Sequence, residues 1–202
     1  MIIYETNDII HCYIHIPKNS GKFIRNKITT NLDNRVLKKY WGYEEKFDIA
    51  HIPFMRKNNY ISFLKGKHIN YYTYTRNPYN RIISAFFYRN PEQNINNFKN
   101  WVKEELINYD FNISFSNKII HYYPQYMFIC DSNFQIDEVK FEKLEDKYDS
   151  IKEYNLSDYF DLDMIKIINK IYIKDFELFN YKMEDRFVNT IPESPAPTII
   201  TS

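Results

Sequence analysis

Two rhythms of apolar and polar positions run along the chain. Residues 9–16, Ile-Ile-His-Cys-Tyr-Ile-His-Ile, are a largely β-branched run closed by Pro17, the pattern of a buried central strand, and residues 21–30 follow as a helix. Residues 70–75, Asn-Tyr-Tyr-Thr-Tyr-Thr, predict a second strand that ends at Arg76-Asn77-Pro78. A helix is expected over 78–89, because proline is tolerated at a first helical position, where its missing N–H would be unpaired anyway. Further expectations are a helix over 94–108, a short strand over 138–141 and a helix over 144–154. A last helix is predicted from Leu162, Ile165, Ile168 and Tyr172, with Ile171 beside them, spaced as one face. Residues 33–67, with Trp41-Gly42 and His51-Ile52-Pro53, are mixed in pattern and read as loops with short elements.

Strands alternating with helices predict an α/β fold, a parallel β-sheet flanked by helices, with ligands at the carboxyl ends of the strands. The organisation expected is one domain over 1–189 and a Pro-containing extended or disordered tail over 190–202, without internal repeats.

A length of 202 residues lets roughly 70% of the unfolded surface be buried, enough for a proper core. The formal net charge of +1 argues against a general nucleic-acid binder, so any anion recognition must come from local basic sites. No apolar run approaches the roughly 20 residues of a membrane span. The N-terminus lacks a basic region followed by an apolar stretch and a cleavage site, so a soluble, cytoplasmic protein is expected. Cys12 and Cys130 form neither a disulfide framework nor a metal spacing, and Cys12 reads as a buried, inert thiol. The abundance of Tyr, Phe, Asn, Ile and Lys beside 3 glycines reflects AT-rich coding and carries no mechanism.

Two segments have the look of phosphate sites. In Tyr13-Ile14-His15-Ile16-Pro17-Lys18-Asn19-Ser20-Gly21-Lys22 a strand enters a short Lys/Gly turn and then a helix, which aims free N–H groups and a positive dipole end at one point. In Thr75-Arg76-Asn77-Pro78-Tyr79-Asn80-Arg81-Ile82-Ile83-Ser84 a strand ends at Arg, and Arg81 and Ser84 fall on the first turns of the next helix. Two such sites on one small domain predict a ligand with two separated phosphates. A Walker loop is not the match: Ile16 stands at its first glycine and Phe23 where the magnesium-binding hydroxyl belongs, which disfavours a nucleotide kinase.

The two motifs, in this order, resemble those of sulfotransferases that use 3'-phosphoadenosine 5'-phosphosulfate (PAPS), most closely the carbohydrate branch and its glycan 2-O-sulfotransferases. His121-x-x-Pro124-Gln125, Phe141-Glu142-Lys143-Leu144 and Tyr172-x-x-Asp175-Phe176-x-x-Phe179-x-Tyr181 add three landmarks in family order. The resemblance implies a P-loop-like, nucleotide-kinase-like sulfotransferase fold. It also implies PAPS as sulfuryl donor, 3'-phosphoadenosine 5'-phosphate (PAP) as product, a carbohydrate hydroxyl as acceptor, and no metal.

Under that resemblance Pro17, Lys18, Asn19, Ser20, Gly21 and Lys22 hold the 5'-phosphosulfate, and Arg76 and Ser84 hold the 3'-phosphate. Arg81 either joins them or pairs with a scaffold carboxylate. Lys18 would stabilise the leaving oxygen as charge develops there. His51, in Ala50-His51-Ile52-Pro53-Phe54, matches the segment that supplies the catalytic base, since a neutral imidazole suits deprotonation of a hydroxyl near pH 7; its alternative is a loop-capping histidine. His15 is expected to be structural. His121 and Gln125 fall where relatives approach cofactor or acceptor, with packing as the other role for His121. The chain departs from the family at Lys22-Phe23, where relatives carry hydroxyl residues. Asn19, Ser20 and backbone N–H groups are the substitutes available. A catalytically impaired PAP(S)- or glycan-binding module therefore stands as the alternative to an enzyme.

Overall fold

The computed structural model describes residues 1–45, 47–111 and 115–185. The expected tail lies outside the described residues. Strands β1 (Ile2–Thr6) and β2 (Ile9–Tyr13) lead into helix α1 (Gly21–Thr30), then strands β3 (Arg35–Lys39), β4 (Tyr43–Glu44) and β5 (Phe47–Asp48). A 3-10 turn at Ile49–His51 and a short helix α2 (Asn58–Ile61) precede β6 (Ile69–Thr75), α3 (Pro78–Arg89) and α4 (Ile95–Glu104). The rest comprises α5 (Tyr126–Ile129), β7 (Val139–Lys143), α6 (Leu144–Lys147), α7 (Leu156–Tyr159), α8 (Leu162–Ile171) and α9 (Ile173–Leu178).

The main sheet has the order β3-β1-β2-β6-β7. Its β2-β6-β7 half is parallel, and β1 and β3 extend it antiparallel. The fold is α/β, but the sheet is mixed where a parallel one was expected. The cause is a hairpin at the N-terminus: Asn7 and Asp8 both take positive φ, 49° and 60°, the signature of a two-residue turn whose twist matches its strands.

Successive strand residues face opposite ways. Ile2 and Tyr13 meet Ile24 and Ile28 of α1 on one face, while Ile3 and Cys12 meet Ile52 and Ile61 on the other. Cys12 is a buried free thiol pushed up to about 12 by burial. The largest apolar cluster joins α3, α4 and α8, with Phe86, Phe98 and Trp101 packed edge to face or tilted.

Both helices that leave the sheet at the candidate phosphate turns have the predicted bounds. The helix expected over 94–108 yields to a 3-10 turn at Leu106–Asn108. That expected over 144–154 stops at Lys147, where Tyr148 turns extended. Leu162 is exposed, so the buried stripe of α8 is Met164, Ile165 and Ile168. Among the described residues, no helix is long and apolar enough to cross a membrane.

Candidate functional site

The carboxyl ends of β2 and β6 lie side by side. Beyond the last β2 residue the pairing continues, with Ile14 N–H donating to Tyr72 O (2.9 Å) and Thr73 Oγ1 to Ile14 O (2.7 Å). The chain then bends through Pro17–Ser20. Lys18 and Ser20 take positive φ, 67° and 54°, unusual for residues with side chains. Ser20 is the N-cap of α1 yet makes no capping bond, and no acidic residue stands in the first turn. The first N–H groups of α1 are therefore open, and open N–H groups at a helix start form an anion site.

Gly21 is required here by close approach. A Cβ at this position would overlap the His15 imidazole, which is itself fixed: Arg25 Nη1 donates to His15 Nδ1 (3.2 Å). Because a guanidinium only donates, His15 carries its proton on Nε2. The Arg25 guanidinium also lies 3.8 Å from the centre of the exposed Trp41 ring.

The second turn is built differently. Asn77 caps α3, its Oδ1 accepting from Tyr79 N (3.0 Å) and Asn80 N (3.3 Å), and its own N–H donates to Glu145 Oε1 (2.7 Å). Arg76 reaches back toward the first turn: Nη1 donates to Lys18 O (3.1 Å) and Nη2 to Lys152 O, while Nε is buried without a partner among the described residues.

Gln125 ties the two turns together. It is fully buried; its Oε1 accepts from Asn19 Nδ2 (2.7 Å) and Arg76 N (2.9 Å), and its Nε2 donates to Arg76 O (2.8 Å). Asp175 anchors this hub by accepting from Gln125 N and Tyr126 N at 2.8 and 2.9 Å. Burial pushes the Asp175 carboxyl up to about 6 despite those bonds and the Arg81 charge.

Arg81 is also fully buried. Its nitrogens donate to the carbonyls of Pro17 (3.0 Å), Tyr123 (2.9 Å) and His121 (3.2 Å), so it braces the first turn through backbone and forms no salt bridge with a carboxylate among the described residues. Ser84 and Tyr88 continue the Arg81 face of α3, at helical spacing. The Lys18 ammonium lies 3.7 Å from the centre of the Tyr88 ring, and Ser84 is half-buried on the strip between Arg81 and Tyr88. Burial, reinforced by Arg76 and Arg81, lowers Lys18 to about 8.

Three imidazoles adjoin the Lys18 turn. The His51 ring is 4.4 Å from that of His15 and 5.5 Å from that of His121, and His121 is 5.0 Å from Tyr88. His51 Nδ1 donates to His15 O (3.2 Å), which leaves Nε2 as the basic nitrogen, with Asp48 Oδ2 3.8 Å away. Asp48 Oδ1 also caps the His51 turn by accepting from Ala50 N. Burial lowers all three histidines, His15 and His51 well below the usual imidazole range and His121 to about 3, so each is neutral at pH 7. Among the described residues no group of His, Cys, Asp and Glu is arranged to hold a metal ion.

Lys18, Asn19, Arg76, Arg81, Gln125, His51 and His121 thus gather around one pair of turns. Lys22 projects into solvent, and Phe23 packs its ring edge to face on Tyr148 at 5.2 Å. Tyr88 and Arg25 were not among the expected site residues. Tyr88 was within reach of helical spacing from Arg81 and Ser84, and Arg25 from Gly21, whereas nothing local marks Asp48. Comparison with protein-family models, curated proteins and solved structures finds no match for this chain.

Proposed function

We propose that this chain moves a sulfuryl group from PAPS to an acceptor hydroxyl on a carbohydrate, using a nucleotide-kinase-like sulfotransferase fold. The observation that carries this reading is the meeting of the two turns: Lys18 and the uncapped start of α1 at the end of β2, joined directly to Arg76 at the end of β6. A donor with phosphates at both ends of a nucleoside needs two anion sites held at a fixed separation, and Gln125 fixes that separation. The unpartnered Arg76 Nε and the bare α1 N–H groups fit such a donor. PAPS supplies the activated sulfuryl group.

In the proposed step, the acceptor oxygen attacks sulfur, the new S–O bond forms as the bond to the bridging phosphate oxygen breaks, and that oxygen keeps the electron pair. Lys18 places its positive charge where the leaving oxygen gains negative charge. The acceptor proton passes to His51 Nε2, and Asp48 stabilises the resulting imidazolium. Ser84, on the face of α3 that borders Lys18, adds a hydroxyl donor.

The test is thermal or calorimetric titration with PAP beside ATP and magnesium, followed by radiolabelled sulfate transfer to glycans. PAP is expected to bind and stabilise the fold, with Lys18→Met costing about 10²–10³ in transfer rate and His51→Ala about 10²–10⁴. Binding of ATP with magnesium but not PAP would sink the reading. Two observations favour a second reading, a PAP(S)- or glycan-binding module without catalysis: Phe23 fills a position where a hydroxyl donor would serve, and burial weakens His51 as a base. PAP binding without transfer to any acceptor selects it.

A further inference from the structure

Beside the candidate site lies a groove of about 440 Å³ between the end of α3, one face of α4 and the 118–122 segment. That volume is within the roughly 300–1,000 Å³ of small-molecule sites. From the sulfuryl-transfer reading above, on which this inference rests, and from the groove's chemistry, we infer that it is the acceptor subsite and that the acceptor is an uncharged, hydroxyl-rich sugar rather than a polyanionic glycan.

Three observations converge. The first is side-chain type. Asn97, Asn100, Trp101 and Glu104 recur at the three- and four-residue spacing of one helix face and all line the groove, opposite Gln93. Each carboxamide offers donors and an acceptor together, the complement of a sugar hydroxyl. The amides of Gln93, Asn97 and Asn100 are exposed and make no side-chain hydrogen bond among the described residues, so they are free to bind. At the base, the largely buried rings of Trp101 and Tyr122 are tilted against each other at 4.7 Å.

The second observation is charge. Arg89 and Lys118 on the lining are balanced by Glu104 and Glu105. A groove for a sulfated or uronic-acid polymer needs a cationic excess to offset repulsion and desolvation, and none is present here. An uncharged acceptor meets no such cost.

The third is continuity. Tyr122 follows His121 in the chain, and Arg89 follows Tyr88, the ring beneath the Lys18 ammonium. Arg89 is close enough to His121 to be the leading charge that lowers its imidazole, after burial. The groove therefore opens beside the row formed by Lys18, Tyr88, His121 and His51, and a sugar seated in it presents a rim hydroxyl toward that row.

The chain has 2 tryptophans, Trp41 and Trp101, so a Trp41→Phe background isolates the fluorescence of Trp101 in the groove. Full-length protein in that background is titrated, without nucleotide, with lactose, chitotriose, mannotriose and a heparin tetrasaccharide, and PAP affinity is measured separately. At least one neutral oligosaccharide is expected to change the Trp101 signal. Gln93→Ala with Asn97→Ala, both at exposed positions, should weaken it about tenfold, as loss of two hydrogen bonds allows, and leave PAP affinity unchanged. No response to any neutral oligosaccharide, tighter binding of heparin, or binding indifferent to the paired substitution overturns the inference. Because sugar binding is read without nucleotide, a failure here is distinct from a failure of PAP to bind, which instead removes the sulfuryl-transfer reading.

Discussion

The two turns that meet at the site sit at the ends of adjacent parallel strands and each launches a helix, yet they are finished in opposite ways. The turn into α1 leaves its helix start bare, with Ser20 in a left-handed conformation and no side-chain cap. The turn into α3 is closed by Asn77, which occupies the first N–H groups itself. An anion at the first turn can therefore be held by backbone and dipole, whereas at the second it must be held by side chains such as Arg76 and Ser84. Their foundations differ too: buried imidazoles adjoin only the first, while the Gln125–Asp175 hub holds the Arg76 backbone of the second from both sides and reaches the first through Asn19 alone.

Acidification should separate the two foundations most strongly. The folded state depresses the proton affinity of His15, His51 and His121, so below about pH 6.5 the unfolded chain binds more protons and stability falls. Each group contributes a slope of up to about 1.4 kcal/mol per pH unit. Asp175 runs the other way: its raised affinity, near 6, favours the folded state at low pH and loses that contribution as pH rises from about 3.8 to 6. Denaturant titrations should show stability rising from pH 5 to 7, and His51→Gln should flatten the rise while Asp175→Asn steepens it below pH 6. A flat profile in the wild-type protein would show that the imidazoles are not buried as described.

Next in size is Gly21→Ala. The added methyl has no room against His15, and overpacking of this kind costs about 1–3 kcal/mol, read as a fall in Tm. Adding His15→Ala should return part of that loss, and a double-mutant cycle without coupling would refute the close approach. The smallest effects test the finish of the turns. Asn77→Ala should cost about 1 kcal/mol of stability and leave PAP affinity nearly unchanged. Lys22→Glu puts a carboxylate in the first turn of α1, and should stabilise the helix by about 0.3–1 kcal/mol while weakening PAP. The reverse pattern, with PAP sensitive to Asn77 and not to Lys22, would exchange the roles assigned to the turns.

What local sequence specifies was legible in advance. Pro78 at a first helical position and the apolar spacing of α1 set both helices correctly, because caps and periodicity act within a few residues. The N-terminal hairpin was missed although Asn7-Asp8 between β-branched runs is a local turn signal, and with it the antiparallel half of the sheet. At the site, the clustering of Lys18, Arg76 and His51 followed from motif order, but the duties of buried polar groups did not. Arg81 binds carbonyls 40 to 64 residues away, and Gln125 bridges two turns. Such partners are chosen by tertiary packing, and no spacing in the chain announces them.

The Gln125 bridge also has a consequence in time. Its bond to Asn19 closes a loop of 106 residues. At synthesis rates of about 5–20 residues per second, the first turn waits on the order of 5–20 s before its brace exists. Long loops close late and at an entropic cost that local contacts do not bear. The strand, turn and helix of the N-terminal segment can form early, but the spacing between the two turns is set only when Gln125 docks. The proposed grip on both ends of a ligand should therefore arrive in a refolding experiment with the last cooperative phase, after the sheet signal has developed.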